Sequence, residues 1–258
     1  MKFKEVLGVD FGGSGIKGAP VDIKTGKLLA ERYRIPTPDP SIPEAVAKTI
    51  DQIVRFFNWK GLVGVGFPSV VLNGVIKTAS NIDQSWIGVN AAKKFSKETK
   101  LPVYVVNDAD SAGLAEIKFG AGRNVKGTVL LLTIGTGIGS SLFTGGKLVA
   151  NSELGDIFLD NGMIAEKYAA DSIRQAKGLE WTEWGARLNK YLKEVEKLFW
   201  PELIIIGGGL SKKPEKFIRA IDINTKIVMA EQRNEAGIIG AALAAVRNKK
   251  SLAEKAKQ

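Results

Sequence analysis

The chain has 258 residues, 45% hydrophobic and 25% charged, with no cysteine, no histidine and a net charge of +10. This is the composition of a soluble globule large enough to bury one large core or two modest ones, and no apolar run approaches the roughly 20 residues of a membrane helix. Disulfides, thiolate nucleophiles, Ser-His triads and the usual zinc, copper and haem ligands are excluded, leaving Asp, Glu, Lys or Tyr as a general base and oxygen ligands for any metal.

In chain order, residues 4–10, 15–23 and 28–35 read as strands, the last two joined by a turn at Lys24-Thr25-Gly26-Lys27. Pro36 to Pro43 is a Pro-rich loop, and from Glu44 to Phe57 the apolar residues Ala45, Ile50, Ile53, Val54 and Phe57 fall at helical spacing. Leu62–Phe67 and Val103–Val106 read as strands, the second followed directly by a helix over Asp108–Phe119. Thr128–Thr133 and Ile138–Phe143 form a second antiparallel pair, followed by helices over Met163–Ala176 and Glu183–Phe199. Leu203–Ile206 is a buried strand, Gly207-Gly208-Gly209 a turn, and a further helix is expected to begin near Ser211. An Ala-rich helix closes the chain over about Ala236–Arg247, with a Lys-rich tail over Lys249–Lys257. Mixed strands with long helices predict an α/β fold.

Two stretches share one design. VLGVDFGGSGIKG, residues 6–18, and VLLLTIGTGIGSSL, residues 129–142, each run strand, Gly-rich turn, strand. The simplest account is an internal duplication with one phosphate-gripping turn per half. A phosphate needs several converging backbone N–H groups, and glycine permits close approach and positive φ. Candidate phosphate residues are Gly12, Gly13, Ser14 and Lys17 in the first turn, with Thr133, Gly135, Thr136 and Gly137 in the second. Lys17 reads equally well as a solvated strand lysine.

Asp108 stands at the carboxyl end of a strand, where open α/β sheets place ligands, although Asp there also serves as a helix N-cap. Asp10 ends the first strand just before the first turn; it suits either a hard cation or turn chemistry. Gly207, Gly208 and Gly209 leave room for a flat base, as would any strand-to-helix turn. The aromatic cluster Trp181, Trp184, Phe199 and Trp200 falls at helical spacing, which favours a core or a dimer interface. The positive charge favours anionic partners, but no aromatic-basic interleaving, zinc finger or helix-turn-helix pattern points to nucleic acid.

The strings DFGGSGIKG, NDAD (107–110), TIGTGIGS (133–140) and IIGGGLSKK (205–213) resemble the ROK sugar kinases of the actin, Hsp70 and sugar-kinase superfamily. NIDQSWIGVNA, NDADSAGLAE, NSELGD, WTEWGARLNKYL, LFWPELIIIGGGLSKK and NEAGIIGAALAA look like the polyphosphate glucokinase branch. The resemblance implies a duplicated ribonuclease-H-like, actin-like ATPase fold of two lobes about a cleft. Residues 1–108 would form a small lobe that recruits the C-terminal helix 239–258, and 109–238 a large lobe.

It also implies chemistry: a kinase transferring a phosphoryl group from inorganic polyphosphate, ATP or both to the 6-hydroxyl of glucose. Asp108 would accept the hydroxyl proton and Asp10 hold Mg²⁺ through water. Asn107, Asp108, Glu153, Asp156 and Glu166 would contact the sugar, and Gly207–Gly209 would lie beside adenosine. The family pattern Glu-x-Gly-His reads Glu153-Leu154-Gly155-Asp156 here, so an aspartate replaces a sugar-contacting histidine. An ATP-only glucokinase, a kinase of another hexose and a non-catalytic sugar-binding regulator remain alternatives. The partners expected are a hexose and a phosphoryl donor, without nucleic acid or membrane, in a cytoplasmic homodimer.

Overall fold

A computed structural model of the chain describes residues 4–80 and 82–255. Asn81, which opens one of the strings above, and the end of the Lys249–Lys257 tail lie outside the described residues. The chain divides into two compact units, one up to Ala115 together with the residues from Glu235 on, the other Glu116–Asn234.

The first unit is built on a five-stranded sheet. It contains β1 (Glu5–Gly12), β2 (Gly15–Asp22), β3 (Tyr33–Ile35), β4 (Val63–Phe67) and β7 (Val103–Asn107), in the order β3-β2-β1-β4-β7. β1–β3 form an antiparallel meander, while β4 and β7 run parallel to β1. A two-stranded ribbon, β5 (Val71–Leu72) and β6 (Val75–Ile76), stands apart. One sheet face packs against α1 (Pro43–Phe56) and α2 (Ala91–Thr99): Val9, Phe11, Val65 and Phe67 share a core with Val46, Ile50, Ile53 and Phe95. Pro43 at the first turn gives α1 its preset φ. α2, not anticipated from the sequence, is short; Asn90 caps it by accepting from the Lys93 amide at 2.9 Å.

The opposite face carries α7 (Ala236–Lys255), which packs on β1 and β4. Gly8 and Gly64 make this possible, since a Cβ on either would lie 2.0 or 1.9 Å from a carbonyl oxygen of the helix. α3 (Asp108–Phe119) follows β7 without a break.

The second unit repeats the plan. β8 (Thr128–Ile134), β9 (Ile138–Thr144), β10 (Lys147–Val149), β11 (Leu203–Gly208) and β12 (Lys226–Met229) lie in the order β10-β9-β8-β11-β12. Again a three-strand antiparallel meander is extended by two parallel strands. The strand order of one sheet maps onto the other position for position, as the two Gly-rich stretches predicted. Leu130, Leu132, Ile204 and Ile206 pack against α4 (Ala165–Ala169) and α6 (Trp181–Phe199) through Trp184, Leu188, Tyr191 and Val195. The fully buried Glu116 carboxylate accepts from the amides of Ala121, Glu231 and Gln232 at 2.9, 3.1 and 2.7 Å, so it is buried but satisfied.

Several expectations are corrected. The strand expected over 28–35 survives only as β3, because 29–32 bond too little to extend the edge. The helix expected over Met163–Ala176 is two, α4 and α5 (Asp171–Ala176), broken where Ala170 turns extended at φ −63, ψ 152. No α-helix starts near Ser211; 3₁₀ turns over Gly209–Lys212, Pro214–Lys216 and Ile218–Ala220 follow β11 instead. The aromatic cluster splits: Trp184 is fully buried, with its indole N–H on the Ala169 and Ala170 carbonyls, while Trp200 is 73% exposed. Among the described residues no helix is long and apolar enough to cross a membrane.

Candidate active site

Strand register sets the geometry of the first unit. Asp10 on β1, Gly66 on β4 and Val106 on β7 fall in one row across the sheet. Asp10, the first Gly-rich turn and Asp108 therefore share the carboxyl edge of the sheet, where parallel α/β sheets collect ligands.

Asn107 and Asp108 divide the roles that the sequence left open for Asp108. Asn107 is the N-cap of α3: its Oδ1 accepts from the Asp110 amide at 3.0 Å, and its Nδ2 donates to the Ser69 carbonyl at 3.1 Å. The cap duty thus falls on a buried neighbour. Asp108 occupies the first helical turn, half-buried, with Oδ1 accepting from the Ala109 amide at 2.8 Å. Its carboxylate is held at a helix N-terminus, where negative charge is favoured.

Asp10 is mostly shielded from solvent, and Lys17 reaches it at 3.5 Å, which answers whether Lys17 is solvated: it faces a carboxylate. Desolvation pushes the Asp10 carboxyl above the ordinary aspartate value, against the pull of Lys17 and Arg32. Among the described residues no group of three Asp or Glu could cage a metal. A single desolvated carboxylate fits Mg²⁺ of the kind that keeps waters and takes its other ligands from substrate phosphates.

The first turn is a two-residue link, Gly13-Ser14, between β1 and β2; the second has three, Gly135-Thr136-Gly137, between β8 and β9. None of their glycines adopts positive φ, contrary to expectation. A Cβ on Gly137 would lie 2.2 Å from Glu166 Oε2, so the Glu166 side chain would have to move, whereas Gly13 and Gly135 face open space.

The second unit gathers three acidic residues around the second turn. Glu166, on α4, accepts from the Ile138 amide at 2.9 Å through Oε2 and pairs with Lys167 at 3.2 Å through Oε1. Glu153, itself exposed as a residue, precedes the 3₁₀ turn Leu154–Asp156, on which Asp156 is also exposed. Desolvation, then the charges of Asp156 and Glu166, hold the Glu153 carboxyl above the usual glutamate range. Because those charges act on it, the three carboxylates form one electrostatic cluster. Gly208 pairs with Ile134 across β11 and β8, which puts Gly207–Gly209 at the same sheet edge as the second turn.

Sequence reasoning missed three residues that touch the turns. Thr37 Oγ1 donates to the Gly12 carbonyl at 2.6 Å, and Arg34 Nη2 to the Ser14 carbonyl at 2.5 Å. Ser172 donates its Oγ to the Thr136 carbonyl at 2.6 Å and its amide to the Gly135 carbonyl at 3.1 Å. Thr37 lies in the Pro-rich loop and Ser172 just past the break between α4 and α5, so neither carries a local motif.

The whole chain resembles known proteins as well as its motifs do. The ROK family model matches residues 6–160. A polyphosphate glucokinase of Mycobacterium tuberculosis is 45% identical over 241 residues, covering 93% of this chain and 91% of that protein. The crystal structure of an inorganic polyphosphate/ATP-glucomannokinase from an Arthrobacter species superposes with TM-score 0.91 at 45% identity, over 95% of this chain and 100% of that one. A ROK family glucokinase from Streptomyces griseus, crystallised with glucose and AMPPNP, shares the fold at TM-score 0.81 and 23% identity. With a matched family model, a near full-length relative and a shared duplicated fold, the chain belongs to the ROK family.

Proposed function

We propose that the protein is a glucokinase that transfers a phosphoryl group from inorganic polyphosphate or ATP to the 6-hydroxyl of glucose. The observation that carries this is the 45% identity to a polyphosphate glucokinase across 93% of the chain. The carboxyl-edge placement of Asp108 and Asp10 supports it from an independent direction.

Phosphoryl transfer asks mainly for positioning and charge stabilisation, plus a group to take the nucleophile's proton. Asp108 is the residue for that proton: its carboxylate is oriented by the Ala109 amide while Asn107 fixes the helix start. Asn107, Glu153, Asp156 and Glu166 are proposed to orient the sugar hydroxyls, with Asp156 as an acceptor where the family histidine could also donate. The Gly-rich turns and Gly207–Gly209 are proposed to meet the donor, and Asp10 to hold Mg²⁺. When bound, that ion would neutralise charge on the phosphates.

Use of polyphosphate asks for basic groups beyond the reacting phosphate. Lys77, Lys93, Arg123, Lys126, Lys212, Lys213 and Lys216 are exposed, whereas Lys94 pairs with Glu44 and Lys118 lies over the Phe119 ring. Lys212, Lys213 and Lys216 follow the triple glycine closely, which makes them the first choice for a polyanion track. A cytoplasmic homodimer belongs to the same reading; exposed Leu198 and Trp200 supply apolar surface for a second copy, and light scattering on the purified protein tests it.

A matrix of donors and sugars tests the function. Turnover of glucose with both polyphosphate and ATP is expected. Rising salt should raise KM for long polyphosphate more steeply than KM for ATP, because more charges are screened. No turnover with polyphosphate would leave an ATP-dependent kinase, and glucose binding without turnover would leave a regulator.

A further inference from the structure

Every turn presents carbonyl oxygens as well as amides, and a carbonyl aimed at a phosphate repels it. In the first turn the carbonyls of Gly12 and Ser14 are already engaged, and in the second all three. Gly12 O is taken by Thr37 and Ser14 O by Arg34. In the second turn Gly135 O takes the Ser172 amide, Thr136 O takes the Ser172 hydroxyl, and Gly137 O takes the Gly135 amide at 2.9 Å. Each turn is thus tied back by a hydroxyl at 2.6 Å, from Thr37 in one unit and Ser172 in the other.

The two hydroxyls do not occupy equivalent positions in the repeat. Thr37 lies two residues beyond β3, whereas Ser172 is on α5, which has no counterpart in the first unit. The repeat supplies the same strand–turn–strand frame twice, and unrelated segments supply the same bond to it. Ser172 is only half-buried, and its bond to Thr136 lies at the surface, so neither core packing nor burial explains it.

We propose that Thr37 and Ser172 are positioning residues for the phosphoryl donor: by holding turn carbonyls back, each leaves the unengaged amides of its turn as the groups that meet phosphate. This rests on the reading of the two turns as donor-binding. It assigns to the hydroxyls a selective effect on the donor, with none on glucose.

The experiment measures KM for ATP and for polyphosphate, KM for glucose, and the melting temperature of Thr37→Ala, Thr37→Ser, Ser172→Ala, Ser172→Thr and Gly135→Ala. Ser172→Ala keeps the amide bond to Gly135 and removes only the hydroxyl. Each alanine variant at Thr37 or Ser172 should raise donor KM about 2- to 12-fold, the range for one neutral hydrogen bond. Glucose KM should hold, the melting temperature should fall by no more than the few degrees one hydrogen bond is worth, and Thr37→Ser and Ser172→Thr should restore both it and donor KM. Gly135→Ala adds a methyl in open space on the second turn and should also raise donor KM. If Gly135→Ala raises it and Ser172→Ala does not, the Ser172 assignment is overturned while the turn's role stands. If neither changes donor KM, that turn does not meet the donor and both fall. Equal rises in donor and glucose KM, or a lowered melting temperature with no rescue, would assign the hydroxyls to the fold alone.

Discussion

The two units share a strand order but not a chemistry. Each opens with a strand, a Gly-rich turn and a return strand, and each extends its sheet by two parallel strands. In the first unit the last parallel strand, β7, runs directly into α3 and presents Asp108 at the junction. In the second, β12 ends at Met229 and the next residue is Ala230; the acidic residues Glu153, Asp156 and Glu166 sit instead between β10 and α5. The frame repeats because sheet order is enforced by many mutually supporting contacts. The groups proposed for function differ because they hang on connections, which can change without disturbing the sheet.

The sharpest way to break this contrast is at Asp108. Asp108→Asn keeps the shape and removes the proposed proton acceptor, and kcat should fall by about 10²- to 10⁴-fold with glucose KM little changed. A variant with near-normal kcat would move the base to the second unit, with Glu153 the next candidate, and the division of labour drawn here would be reversed.

The turns offer a second test, in stability. Gly137→Ala forces a Cβ to within 2.2 Å of Glu166 Oε2, and overpacking of this kind costs about 1–3 kcal/mol. Gly13→Ala in the first turn meets nothing within 4 Å and should change stability by less than about 0.5 kcal/mol. Denaturant melts of the two variants measure the difference. Equal effects would mean that the second turn is not braced by Glu166 as described.

A third comparison asks whether the second unit reads the sugar through Asp156. Asp156→His should tighten glucose binding toward the family pattern, and Asp156→Ala should weaken it by about 0.5–1.5 kcal/mol, one hydrogen bond. Glucose KM that ignores both changes would show that the side chain is not a sugar contact.

The smallest effect is the pH dependence that Glu153 adds in the second unit, beside the one that Asp10 adds in the first. The folded Glu153 carboxyl binds its proton more tightly than the unfolded one, whose ordinary value is 4.5. Its contribution therefore lowers stability as pH rises through the interval above 4.5, and the penalty is complete above the folded value. Glu153→Gln should remove that component, leaving the melting temperature higher than wild type above the interval and the two converging below 4.5. Melting curves from pH 4 to 8 check the sign; a variant less stable at neutral pH would refute it.

Much of this was legible in the chain itself. The apolar runs in residues 5–22 and 128–144, each interrupted by glycine and small hydroxyls, point to hairpins, because each turn and its strands are neighbours in sequence. The helix over Asp108–Phe119 was legible as well, although its cap is Asn107 rather than Asp108. Tertiary structure decided what depends on partners far along the chain. α2 is short and polar overall, and it is anchored where Phe95 is buried against Phe67 and Trp86. The helix expected after Gly209 was replaced by 3₁₀ turns that bury Leu210 and Phe217. Lys17 came to face Asp10 only because β1 and β2 pair in that register. The bonds from Thr37 and Ser172 to the glycine turns span 25 and 36 residues and leave no trace in local pattern. A sequence thus determines hairpins, caps and helix faces through bonds between near neighbours, and it leaves to the packed fold those contacts whose partners meet only after the sheet has formed.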